Sequence, residues 1–256
     1  MAETEDQRRA RLAEALGTLT ASQTRWVAGV VAAFAKPREF QRDERSDLVS
    51  PQVLDDIGDT LRIHHCFSRE AFSKDKFEYA LERIVKDDGR AARLAPRGNP
   101  GYDIEIDGER ISLKTEASAK INVDKVHISK FMELGGGQWG DDPHDLVGLR
   151  DQFFAHMRQY ARIFVLRRLP ENAAGWLRYE LVEIPKTLLL EAENGTLEMK
   201  TESTQKGAKP GYCYVKDRQG NQRFALYFDG GGERKLQVKG LLKTLCRTHA
   251  TWSFAV

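Results

Sequence analysis

Asp103 and Lys114 stand on either side of Asp107-Gly108, a dipeptide that favours a two-residue hairpin turn. With that turn, Ile106 faces Glu109, Asp103 comes opposite Ser112, and Lys114 is the diagonal neighbour of Asp103, at ~7–8 Å or less. A carboxylate and an ammonium held so on a rigid sheet could share a hydrolysis. The carboxylate would bind a hard divalent cation such as Mg²⁺ through oxygen. The lysine would orient or deprotonate a water and offset charge on a phosphate. The plain alternative is a cross-strand ion pair worth ~0.2–1 kcal/mol.

The elements around this pair follow from pattern. Side chains alternate along a strand, so Asp103, Glu105, Arg110, Ser112, Lys114 and Glu116 share a polar face. Tyr102, Ile104, Ile106, Ile111 and Leu113 turn to a core. Before the hairpin the chain reads as helices: residues 5–16, a second through Trp26 to Phe34 capped by Thr20 or Ser22 and ended by Pro37, a third opening at Ser50-Pro51, and a fourth capped by Ser73 and stopping near Gly89. After it come a strand at 123–128, a Gly-rich loop at 135–137, and a helix over 144–160 with Phe153, Met157 and Tyr160 on a core or dimer face. Strands at 163–167 and 176–184, a short helix at 185–193, and mostly strands and turns follow. The expected fold is α/β, a mixed central sheet flanked by helices. It forms one domain over 1–256, with residues 1–60 as a helical N-terminal part.

Composition narrows the partners. The 256 residues carry 41% hydrophobic and 30% charged side chains, an ordinary globular balance, and no run long enough for a membrane span. Cys66, Cys213 and Cys246 have neither disulfide nor zinc spacing and read as reduced thiols in a cytoplasm. The net charge is +2, but residues 201–256 hold ten bases against four acids, which leaves residues 1–200 at −4. A basic C-terminal region suits a polyanion. The adjacent His64 and His65 do not share a helix face and read as structural, and His127 alternates toward the polar face. The glycine-rich stretches lack the Lys-Ser/Thr of a phosphate-binding loop.

The run Pro100-Gly101-Tyr102-Asp103, the hairpin, and then Ser112-Leu113-Lys114 resembles the PD-(D/E)XK nuclease signature, a family that includes many type II restriction endonucleases. Longer stretches extend the likeness to a restriction enzyme of this fold, among them Asn99–Ile104, Leu113–Ala117, Ser129–Gly135, Arg162–Arg167 and Leu226–Gly231. The resemblance implies a Mg²⁺-dependent homodimer that cuts both strands of a palindrome, CCCGGG if specificity follows. It implies Asp103 as metal-binding carboxylate and Lys114 as catalytic lysine. Ser112 departs from the pattern, for the family's second acid belongs there. Glu78 on the preceding helix, Glu116 beyond Lys114, and the Leu113 carbonyl are the candidate replacements, in that order. Among the glycines, Glu233, Arg234 and Lys235 are candidates for base or phosphate contact, since Arg reads guanine and Glu accepts from cytosine. Ser129 and Lys130 are candidates for phosphate. A sequence-specific DNA-binding protein with a silent nuclease site is the alternative that Ser112 keeps open.

Overall fold

The computed structural model describes residues 4–118, 120–135, 139–204, 208–231 and 233–256. The expected helices form where their caps place them. Helix α1 spans Glu5–Leu16 and α2 spans Ala21–Ala35, with Thr20 closing a capping box on Gln23. Helix α3 (Pro51–Phe67) starts on Ser50 with proline in its first turn, and α4 (Lys74–Asp87) starts on Ser73. Neither α1 nor α2 buries a residue; Leu12, Trp26 and Val31 are exposed.

The 1–60 segment is not wholly helical. Arg38–Arg42 forms β1, paired with β12 (Arg247–Phe254) at the far end of the chain. Only Phe40 in that stretch is apolar, so no alternation announces a strand; its pairing is tertiary. A Cβ on Gly58 of α3 would overlap the rings of Phe40 and Trp252, so glycine lets the helix lie on these two strands.

The remaining strands of the central sheet are β2 (Ala92–Leu94), β3 (Ile104–Ile106), β4 (Glu109–Glu116), β6 (Arg162–Leu169) and β7 (Leu177–Glu183). Their order is β1-β12-β7-β6-β4-β3-β2. The β4–β6 pair is parallel and the others antiparallel, so the sheet is mixed as expected. A second, antiparallel sheet, which the sequence pattern does not separate from the first, comprises β5 (Lys125–Glu133), β8 (Thr196–Met199), β9 (Gly211–Lys216), β10 (Gln222–Asp229) and β11 (Lys235–Leu242). Its order is β5-β11-β10-β9-β8. Helix α5 is Asp145–Met157, shorter than the stripe suggested, and α6 is Lys186–Leu190.

Both faces of the central sheet are covered. On one, Ile104, Ile111, Leu113 and Phe164 pack with Val53 and Leu61 of α3 and Phe77 and Leu81 of α4. On the other, Ile163 and Val165 pack with Phe153 and Met157 of α5 and with Phe131, Leu226 and Val238 of the second sheet. Phe153, Met157 and Tyr160 are thus core. Strand β6 reads as a continuous apolar run because its alternate residues enter different cores. The second sheet also corrects the hairpin's polar face: Ser112, Lys114 and Glu116 are buried, not solvated.

Candidate active site

Asp107 and Gly108 adopt positive φ values of 50° and 84°, which a primed two-residue turn requires. The register pairs Ile106 with Glu109, Glu105 with Arg110 and Ile104 with Ile111. The Asp103 N–H then donates to the Ile111 carbonyl at 2.9 Å, which fixes the aspartate at the mouth of the hairpin.

The Asp103 carboxylate is held from two sides. Its Oδ2 accepts the Leu113 N–H at 2.6 Å and the Ser112 hydroxyl at 3.2 Å, with Lys114 Nζ 3.9 Å away. Ser112 therefore orients Asp103 by hydrogen bonding. Oδ1 faces α4 and accepts from Lys74 Nζ at 2.6 Å. The same ammonium lies 2.7 Å from Oε1 of Glu78, one turn further along the helix. Burial acts to lower the Lys74 pKa, but Asp103 and Glu78 outweigh it and hold the group above the ordinary lysine value. Burial raises Glu78, with Lys74 opposing and Asp103 adding to the rise.

Lys114 is 8% exposed, and its Nζ stands 5.6 Å from the centroid of Phe131. Burial pushes its ammonium down to about 8, against the pull of Asp103. A lysine so poised can take or give a proton near neutral pH, which an exposed lysine cannot. A cleft of about 550 Å³ opens over Asp103 and Lys114, walled by residues 98–101, by Met132 and Glu133, and by Gln152 and His156. His156 presents a buried Nε2 with no hydrogen-bond partner among the described residues. Its own burial, with the Lys114 charge adding, lowers its pKa to about 4, so it is a neutral imidazole.

The donors here are oxygens. Asp103 and Glu78 already converge on one positive charge, so the pair can share a cation. In a strand the N–H and C=O of one residue face the same neighbour, which puts the Leu113 carbonyl on the Asp103 side. Two carboxylates suit a hard divalent ion that keeps waters and phosphate oxygens in its shell. Among the described residues no group of three or more His, Cys, Asp or Glu side chains is disposed to hold a metal.

Glu116 lies elsewhere. Its Oε2 accepts from Arg167 Nε and its Oε1 from the His127 N–H. Arg167 also binds Glu180 and the carbonyls of Asn122 and Lys125, and Glu180 binds Lys243. Arg167, Glu116 and Glu180 are 0%, 5% and 1% exposed. His127 does not join the cleft; its ring is half-buried on the second sheet near Lys239, whose charge adds to burial in lowering its pKa. His64 and His65 are bonded to the Glu70 and Ser68 carbonyls, and His65 also to the Tyr179 hydroxyl, a structural use. The three cysteines are free thiols.

The candidate DNA contacts meet although they are a hundred residues apart in sequence. Strands β5 and β11 pair antiparallel with Lys235 against Glu133. Exposed Ser129 and Lys130 therefore lie on the strand beside Lys235, and Arg234 stacks its guanidinium 5.4 Å from the Trp139 ring. Lys130 pairs with Glu133 at 2.8 Å and Lys235 with Glu233 at 3.7 Å. Glu133 also walls the cleft, which links this patch to Asp103. Gly136, Gly137 and Gly232 of the glycine-rich stretches fall outside the described residues. Sequence reading missed Lys74 and His156. The i,i+4 spacing of Lys74 and Glu78 was the available signal for the first; His156 has the look of an ordinary helix residue.

A carboxylate and a buried lysine on a mixed sheet, with helices on both flanks, define a nuclease of the restriction-endonuclease-like fold. More narrowly, the chain belongs to the SmaI family of type II site-specific deoxyribonucleases, whose model matches residues 12–254. It is 43% identical over 223 residues, 87% of each chain, to the type II restriction enzyme SmaI of Serratia marcescens. This protein is accordingly a type II restriction enzyme that cleaves DNA at a specific site. No helix among the described residues is long and apolar enough to cross a membrane.

Proposed function

We propose that the enzyme uses Mg²⁺ and cuts both strands of double-stranded DNA at CCCGGG. Asp103 and Glu78 would hold the ion, with the Leu113 carbonyl as a further oxygen donor. The observation that carries this reading is the pairing of Asp103, aimed by Ser112 and the Leu113 N–H, with a lysine 3.9 Å away whose pKa is pulled to about 8. When bound, the cation supplies Lewis-acid polarisation of the scissile phosphate. Lys114 in its neutral form accepts a proton from the attacking water; in its charged form it offsets the negative charge that grows on the phosphoryl oxygens. Lys130, Lys235 and Arg234 meet phosphates or bases at the rim of the cleft, and Ser129 and Glu233 complete that patch. Arg is the natural reader of guanine and Glu of cytosine.

A symmetric cut in a palindrome requires two active sites related by a two-fold axis, so the working form is a homodimer in which each chain acts as one unit over 1–256. The alternative, a DNA-binding protein with a silent site, rested on Ser112. A serine that donates to Asp103 serves the carboxylate and removes that motive. The test is digestion of a supercoiled plasmid bearing a single CCCGGG, with Mg²⁺ or with EDTA, followed by sequencing of the fragment ends. Linear product only with Mg²⁺, ending within CCCGGG, is expected. Ends at another sequence would overturn the specificity, and a specific gel shift without cutting would overturn the nuclease.

A further inference from the structure

We infer that Lys74 is the protein's own competitor for the divalent cation, and that the ion loads Asp103 and Glu78 only by displacing the Lys74 ammonium. This rests on the reading of Asp103 and Glu78 as metal-binding carboxylates. The geometry is specific about which oxygens are open. Oδ2 of Asp103 is engaged by the Leu113 N–H and the Ser112 hydroxyl, both part of β4. Oδ1 is the atom left for a cation, and Lys74 Nζ is bonded to it at 2.6 Å. The Glu78 oxygen nearest this point is 2.7 Å from the same nitrogen. A cation shared by the two carboxylates would need the space the ammonium fills.

Charge gives the same answer. Two carboxylates face two ammonium groups, those of Lys74 and Lys114, so the cluster is balanced. Adding a doubly charged ion leaves a surplus of two positive charges in a half-buried site, where such repulsion is weakly screened. Moving the ammonium that already sits on Oδ1 relieves half of that surplus and clears the shared position. Lys114 is enclosed, its stem on β4 in the sheet interior and its Nζ over Phe131. Lys74 occupies the first turn of α4 with a side chain 37% exposed on a long flexible stem. Lys74 is the group free to leave, and its new position at the cleft rim, where Lys74 already lines the wall, is one that a DNA phosphate would favour.

The test measures Mg²⁺ binding to the full-length protein without DNA, by calorimetry and by the rise in melting temperature. Wild type, Lys74→Met, Lys74→Arg and Asp103→Asn are compared. Lys74→Met, which keeps the stem and drops the charge, is expected to bind Mg²⁺ about tenfold tighter or more, the size of a lost charge-assisted contact. Without ion it melts lower than wild type, since two carboxylates then face each other, and Mg²⁺ raises its melting temperature more. Lys74→Arg keeps the competitor and stays near wild type. Equal or weaker binding by Lys74→Met, while Asp103→Asn abolishes binding, overturns the role of Lys74 and leaves the metal site standing. Binding that Asp103→Asn does not disturb overturns both.

Discussion

Two charged clusters sit on one face of the same strand, two residues apart on β4, and they differ in kind. Around Glu116 the charges are matched: Arg167 spans Glu116 and Glu180, its Nη2 donates to two carbonyls, and Lys243 closes the set. The partners that hold Glu116 and Arg167 come from the protein itself. The cluster ties the central sheet to the approach of β5 and to the turn after β11. Around Lys114 the matching is incomplete. The lysine is as buried as Glu116, yet Asp103 is 3.9 Å off and no hydrogen bond satisfies the ammonium within the described residues; burial takes its pKa down to about 8, with only the Asp103 and Glu78 charges at a distance opposing it, and a cleft opens above it. Burial alone does not distinguish a reactive group from a structural one. Saturation does: a buried charge with its partners complete is a clasp, and one with a partner missing is ready for substrate.

The largest expected effect lies in the unsaturated cluster. Asp103→Asn and Lys114→Ala should each slow cleavage by about a thousandfold, the scale of losing a preorganised group at the reacting phosphate. Specific binding of a CCCGGG duplex in EDTA, read by gel shift, should change only a few-fold. Lys114→Met should melt no lower than wild type, because it removes a buried ammonium that the fold disfavours. A variant at Lys114 that cuts at full rate would erase the distinction between the clusters.

The saturated cluster should fail in the opposite way. Arg167→Met leaves two buried carboxylates without their shared partner and is expected to cost about 3–5 kcal/mol, measured by urea denaturation. Cys246 reports the same event. Burial, with Glu180 adding to it, pushes that thiol up to about 12 against the pull of Arg167 and Lys243. At pH 8 only about one thiol in ten thousand is then the reactive thiolate. Alkylation of Cys246, followed by mass spectrometry, should therefore await opening of the clasp, and Arg167→Met should speed it by exposing the thiol to water, which outweighs the loss of the one charge that Arg167 contributed to lowering its pKa. Native Cys246 that reacts at the rate of a free thiol would mean that the clasp is open.

How far these clusters could be read from sequence depends on the distance over which their contacts run. Asp103 and Lys114 were legible because Asp107-Gly108 sets the register within fifteen residues, and Ile106 does face Glu109. The helix starts at Ser50 and Ser73 were legible for the same local reason. The closure around Glu116 was not. Its partners come from β6, β7 and the start of β5, so a residue expected on a wet polar face is enclosed by strands that no local pattern could place. Strand β1 hid likewise, since its pairing with β12 spans the chain. Lys74 was overlooked because the first turn of a helix normally carries solvated charges; only the fold brings Asp103 to it.

Glu116 is where the comparison can be made sharpest, because the spacing along β4 makes it a candidate for the reaction as well as for the clasp. Both its oxygens are already accepting, from Arg167 and from the His127 N–H. Glutamine at this position keeps one acceptor but turns an NH₂ toward a donor. The expected loss is about 1–3 kcal/mol of stability, smaller than for Arg167→Met because Glu180 and two carbonyls still hold the guanidinium. The folded Glu116→Gln enzyme, assayed well below its melting temperature, should retain single-turnover cleavage within about threefold of wild type and its full Mg²⁺ affinity, since the charge that Lys114 reads comes from Asp103 and Glu78. A fall as deep as that of Asp103→Asn, with stability unchanged, would move Glu116 out of the clasp and into the chemistry, and would show that saturation in the free enzyme is broken when DNA binds.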